Sequence, residues 1–159
     1  MSDEGESFEL IESLAGQLGV GNPEVDSDGL ARLELQNGQV FYLKAIKGGG
    51  YLAFSQLVEL PEDTDVEVFR TLLAANLFGA GTGMGHFALE DTTGALVWQA
   101  RLMGTVGELA QQLMSAADLC RQWTDRLVEF VASSNGGDGG SAESEDDGEG
   151  GDDAGIIRV

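Results

Sequence analysis

Apolar residues recur at helical spacing in three stretches of this chain and alternate in five others. From Ser7 to Leu18, Phe8, Ile11, Leu14 and Leu18 share one helical face, with Glu9, Glu12 and Gln17 opposite. Ser7 is placed to cap this helix, and Gly19, Gly21 and Pro23 to end it. Three strands follow. Leu30–Leu35 alternates, Asn37-Gly38 reads as a two-residue hairpin turn, and Val40–Ile46 returns. After Gly48-Gly49-Gly50, Tyr51–Leu60 forms a third strand that Pro61 stops.

Val66 to Phe78 is the second helix. Val66, Phe69, Leu72, Leu73 and Leu77 make a stripe that Val68, Ala75 and Phe78 widen. A stripe that broad covers a sheet and leaves a face for a second surface. Gly79, Gly81, Gly83 and Gly85 break helical order. Met84–Glu90 and Leu96–Leu102 then read as antiparallel strands around Asp91-Thr92-Thr93-Gly94. Gly104 breaks the chain again. Val106–Val131 is a long last helix with Leu109, Leu113, Ala116, Cys120, Trp123 and Leu127 on one face. The order α-β-β-β-α-β-β-α defines an α+β domain with one twisted antiparallel sheet and helices packed on it.

From residue 133 the pattern stops. SSNGGDGGSAESEDDGEGGDDAG holds no aromatic and no large aliphatic residue, too little apolar surface to offset backbone ordering entropy. Residues 1–132 are thus expected to be the folded domain, and 133–159 a disordered glycine- and acid-rich tail. Ile156-Ile157-Arg158-Val159, beyond it, is more often nothing than a docking motif.

Charge narrows the choice of partner. With 28 acidic and 8 basic residues the net charge is -20, which argues against nucleic acid or an anionic membrane. The acidic N-terminal segment lacks a secretory signal, and no apolar run approaches the ~20 residues of a membrane span. The chain reads as a soluble cytoplasmic protein. Its single cysteine, Cys120, reads as a buried hydrophobe.

Chemistry is sparse. His86 is the only histidine and has no second ligand nearby, so neither a metal site nor a triad with Ser55 or Ser115 has local support. Asp26-Ser27-Asp28-Gly29 begins like a calcium loop, but position 12 is Asn37 instead of glutamate. Gly79–Gly83 follows a helix and enters a strand, the reverse of a phosphate-binding loop. No catalytic residue, metal or cofactor is expected. Phe41, Tyr42, Tyr51, Phe54, Phe78 and Trp98 are candidates for exposure, although core is the better reading of any one of them. Two-faced strands on an acidic protein point to an apolar or basic partner segment.

Leu72-Leu73-Ala74-Ala75-Asn76-Leu77, the glycine connection, Gly85-His86-Phe87-Ala88-Leu89-Glu90-Asp91 and Gly94-Ala95-Leu96-Val97-Trp98-Gln99 together resemble the class I type III secretion chaperones, the Tir-chaperone family. Trp123 on a long last helix fits too, and the likeness spans about residues 7–132. The resemblance implies a bacterial, cytoplasmic, non-enzymatic homodimer. It would hold the N-terminal segment of a secreted effector extended for export and use no nucleotide. It also implies a dimer interface including Leu72, Ala75, Asn76, Phe78 and Trp98, and an effector surface including Leu14, Leu33, Phe41, Leu43 and Phe54. The alternatives are an adaptor domain of the same fold that binds a folded partner, a ligand binder using the His86 region, and a protein whose acidic tail is its active part.

Overall fold

In the computed structural model, which describes residues 3–47 and 49–134, six antiparallel strands form one sheet with two helices on a single face. The elements are α1 (Asp3–Leu18), β1 (Glu24–Val25), β2 (Leu30–Glu34), β3 (Val40–Ala45), β4 (Tyr51–Glu59), α2 (Val66–Asn76), a 3-10 turn (Leu77–Gly79), β5 (His86–Glu90), β6 (Ala95–Leu102) and α3 (Val106–Ser134). The strand order is β1-β2-β3-β4-β6-β5, so β1 and β5 are the edges. The architecture is α+β, as the sequence pattern predicts.

Alternation sorts the strand residues into two faces. Ala31, Leu33, Phe41, Leu43, Ala53, Trp98, Ala100 and Leu102 point into the core. There they meet Ile11, Leu14 and Ala15 of α1 and Leu109, Leu113, Cys120 and Leu127 of α3. Phe41 and Trp98 pack edge to face, with ring centroids 6.0 Å apart. The opposite face carries no helix among the described residues. Along it Arg32, Tyr42, Phe54, Gln99 and His86 form one row across five strands. Tyr42 and Phe54 stack at 5.1 Å. Phe41, Tyr51 and Trp98 are therefore core, not surface, because they fall on the strand positions that α1 and α3 cover.

Local chemistry moves several boundaries. α1 starts at Asp3, so Ser7 lies inside it and is not its cap. Between Leu35 and Gln39 the β2–β3 turn holds three residues, Gln36-Asn37-Gly38, not two. Leu35 N–H donates to Gln39 O, Gly38 N–H donates to Leu35 O, and Gly38 takes φ 83°. Asp65 caps α2 by accepting from Glu67 N–H at 2.9 Å. At the start of α3, Glu108 accepts from Thr105 N–H at 2.7 Å while Glu108 N–H reaches Thr105 Oγ1, a capping box. Ser133 and Ser134 continue α3, and the remainder of the expected tail lies outside the described residues.

Candidate functional site

α2 has two apolar stripes. Val68, Leu72 and Ala75 face the core. Val66, Leu73 and Leu77, spaced seven and four residues apart, lie on another face and are exposed. Leu73 is 70% exposed. Phe78 in the 3-10 turn, Met84 in the glycine-rich connection and Leu89 on the β5 edge are exposed apolar residues that follow in the chain. Isolated exposed hydrophobes are ordinary, but a run gathered on one helix, one turn and one strand marks an interaction surface.

Phe78 is its most unusual member. It is 99% exposed and adopts φ 53°, ψ 23°, the left-handed region where a bulky side chain is costly by roughly 1–2 kcal/mol. Nothing in the described chain is gained by placing phenylalanine there. A strained, exposed aromatic residue marks a candidate functional surface.

The glycine-rich connection behind Phe78 is held rigidly. Trp123 Nε1 donates to Gly81 O at 2.8 Å, and Trp98 Nε1 donates to Thr82 O at 3.1 Å. Phe87 packs edge to face on Trp123 with centroids 4.9 Å apart. A Cβ at Gly85 would lie 2.4 Å from the Trp98 ring, so glycine is required for this approach. Gly81 is similarly close to Ala75, at 2.8 Å. The glycines thus let two indoles pin the segment that displays Phe78. A groove of about 440 Å³ lies alongside, between Gly79–Gly83 and the Ser115, Asp118, Gln122 and Arg126 side of α3.

Asn76 closes the adjoining sheet edge. Its Nδ2 donates to Phe87 O at 3.0 Å, and Phe87 N–H donates to its Oδ1 at 2.7 Å. The amide imitates a neighbouring strand and satisfies backbone groups that an edge would leave open. β1 at the other edge is only two residues long, with Val25 exposed. A depression of about 190 Å³, lined by Val20, Gly21, Asn22, Glu24, Arg32, Leu33 and Glu34, adjoins it.

The ten residues picked from the sequence fall differently. Of the expected dimer residues, Leu72, Ala75 and Trp98 are core and Asn76 is engaged within the chain, while Phe78 is fully displayed. Val66, Leu73, Leu77, Met84 and Leu89 supply the remaining apolar surface. Their signal was the excess width of the α2 stripe. Of the expected effector residues, Leu14, Leu33, Phe41 and Leu43 are buried between the sheet and the helices. Phe54 lies on the opposite face beside Tyr42, so the five share no surface. The exposed apolar residues at that side are Phe8 of α1 and Val25 of β1.

The polar candidates have structural partners. His86 Nε2 lies 2.7 Å from Gln99 Nε2, and no group of three or more metal-ligating side chains occurs among the described residues. Asp26 Oδ1 accepts from Asp28 and Leu30 N–H groups, both at 2.9 Å, closing a turn. Ser55 is buried and donates to Val40 O. Burial pushes the Cys120 thiol up to about 12, leaving it unreactive in the folded protein. Hydrogen bonds from Thr93 and Thr92 hold Glu90 down to about 2, a turn carboxylate and not a proton carrier. No helix among the described residues is long and apolar enough to cross a membrane.

Known proteins give the arrangement its context. No curated protein gives a match to this sequence. Among solved structures, the chain is similar to the Yersinia pestis type III secretion chaperone SycH in complex with a stable fragment of YscM2. The identity is 23%, the likeness covers 73% of this chain and 98% of that one, and the TM-score is 0.57. It is similar to the ExoU–SpcU heterodimeric complex of Pseudomonas aeruginosa at 23% identity, covering 77% and 98%, with a TM-score of 0.58. The HopA1–SchA chaperone–effector complex gives 16%, 79%, 98% and 0.62 in the same order. At these identities the likeness establishes the fold. The sequence itself matches the model of the Tir chaperone protein (CesT) family over residues 9–124, most of the described domain, and the chain belongs to that family.

Proposed function

We propose that this protein is a type III secretion chaperone that binds the N-terminal segment of a secreted effector and holds it extended until export. Family membership over residues 9–124 is the observation that carries this reading. The similar solved structures include a type III secretion chaperone bound to a fragment of YscM2, a chaperone–effector complex of HopA1 with SchA, and the ExoU–SpcU heterodimer of a type III secretion system. The physical features agree with the role. A chaperone of this kind needs rigid apolar surface and no chemistry of its own. We therefore assign no enzymatic activity, cofactor or metal, and place the protein in the bacterial cytoplasm.

Two surfaces divide the work. Val66, Leu73, Leu77, Phe78, Met84 and Leu89 form the homodimer contact, in place of the buried Leu72, Ala75 and Trp98. The effector segment follows the α1–β1 side. The short β1 edge offers main-chain hydrogen bonds there, and Phe8 and Val25 offer apolar contact. An extended segment loses ordering entropy on binding, so a long contact is needed for useful affinity. The acidic chaperone attracts a basic effector segment and stays soluble.

The test is genetic. Deleting the gene should lower the amount of one or a few exported proteins in the culture supernatant and leave other type III substrates at normal levels. Unchanged export of every substrate would overturn the assignment.

A further inference from the structure

The helix-free face of the sheet is electrically polarised. Leu30, Lys44, Leu52 and Arg101 form one transverse row on β2, β3, β4 and β6. Arg101 Nη2 donates to Gly49 O, which brings the β3–β4 turn and its exposed Lys47 to the same end. Glu34, Glu59 and Glu90 lie toward the other end of the strands, while Asp26 and Asp28 of the β1–β2 turn stand beside Leu30 at the β1 edge of the basic end. The ion pairs among the described residues are Arg32–Glu34, Arg70–Glu67 and Arg121–Asp118, so Lys44, Lys47 and Arg101 have no carboxylate partner there. Residues 1–134 contain seven basic and twenty acidic side chains. Three of the seven therefore gather around exposed Leu52 on a domain of opposite overall sign.

We propose that the acidic stretch Asp138–Asp153 of this same protein docks on this basic end of the open sheet face. Asp138–Asp153 carries eight acids and no base in sixteen residues. Ile156-Ile157 follow the acids and supply apolar groups for the Leu30–Leu52 surface. Length permits the contact. Twenty-five residues span at most ~80–90 Å when extended. The 29-residue α3, the longest element, measures ~43 Å. A tethered segment also acts at an effective concentration in the millimolar range, enough for a weak electrostatic contact to be occupied. The tail then neutralises this basic end of an otherwise acidic domain and keeps other acidic chains from it.

A nitroxide at Ser144→Cys in the full chain reads this contact, since buried Cys120 does not compete for the label. The amide signals of Lys44, Leu52 and Arg101 should lose most of their intensity. They should recover near 1 M salt, where the Debye length is ~3 Å. Lys44→Glu with Arg101→Glu should restore them at low salt. Glu145→Gln with Asp146→Asn and Asp147→Asn should do the same without altering the domain. Attenuation spread evenly over the domain, or confined to α2 and β5, would overturn the proposal. So would attenuation at Lys44 and Arg101 that survives both salt and the tail substitutions.

Discussion

Replacing Phe78 with glycine separates the domain's own stability from its association. The phenylalanine is 99% exposed, so its removal costs the folded domain almost no buried surface. Its left-handed backbone costs roughly 1–2 kcal/mol, which glycine relieves. Glycine also frees the unfolded chain, which costs back about 0.5–1 kcal/mol. Domain stability should therefore stay within about 1 kcal/mol of the parent. Association should not. Burying a phenylalanine side chain is worth about 1.5–3 kcal/mol, and a two-fold interface loses two of them. Dimer dissociation should strengthen by about two to four powers of ten. Sedimentation equilibrium over a range of concentrations measures the second effect. Urea unfolding at concentrations where both proteins are monomeric measures the first. An unchanged dimer constant, or a loss of more than about 2 kcal/mol from the monomer, would refute the assignment of Phe78 to an interface.

Three further outcomes follow from contacts inside the domain. Gly85→Ala would drive a Cβ into the Trp98 ring and should destabilise the fold by about 1–3 kcal/mol in a urea titration, even though the site is a loop. Asn76→Ala leaves Phe87 N–H and C=O without their partner. It should cost about 1–3 kcal/mol and speed hydrogen exchange at the Phe87 amide, with the other amides of β5 unaffected. Glu90 has a folded pKa of about 2, below its ordinary value, so its turn stabilises the fold above the unfolded pKa and loses that contribution as pH falls toward 2. Glu90→Gln should flatten the acid side of the stability–pH curve between about pH 4.5 and 2 and leave the neutral region parallel to the parent.

The element order was legible because nearly every element is long enough to show its period. α3 repeats its apolar stripe from Leu109 to Leu127, and β2, β3 and β4 alternate cleanly. β1 was not legible, since two residues carry no period. Alternation also separates two faces of a strand without saying which one is covered. Phe41 and Tyr42 are equally apolar to the eye, yet α1 and α3 cover the first and leave the second on the open face. The same ambiguity put Leu14, Leu33, Phe41 and Leu43 on an expected binding surface. A charge at Phe41, which is fully buried, is expected to unfold the domain.

The Phe78 surface was half legible. The excess width of the α2 stripe announced a second face, but its members depend on which side of the helix meets β5. Leu72 and Leu73 are adjacent in sequence and opposite in fate, buried and exposed. The pinning of the glycine segment was hidden for another reason. Trp123 and Gly81 are 42 residues apart, and no local pattern announces an indole reaching a loop carbonyl across that distance.

The most direct measurement is capture of the full chain with its bound protein from the native bacterium, followed by limited proteolysis of the complex. The account predicts one dominant secreted protein, protected from protease only over a stretch near its N-terminus, with that stretch lacking a globular fold of its own. A bound protein that is folded throughout, or a protected region that forms a stable domain when released, would contradict it.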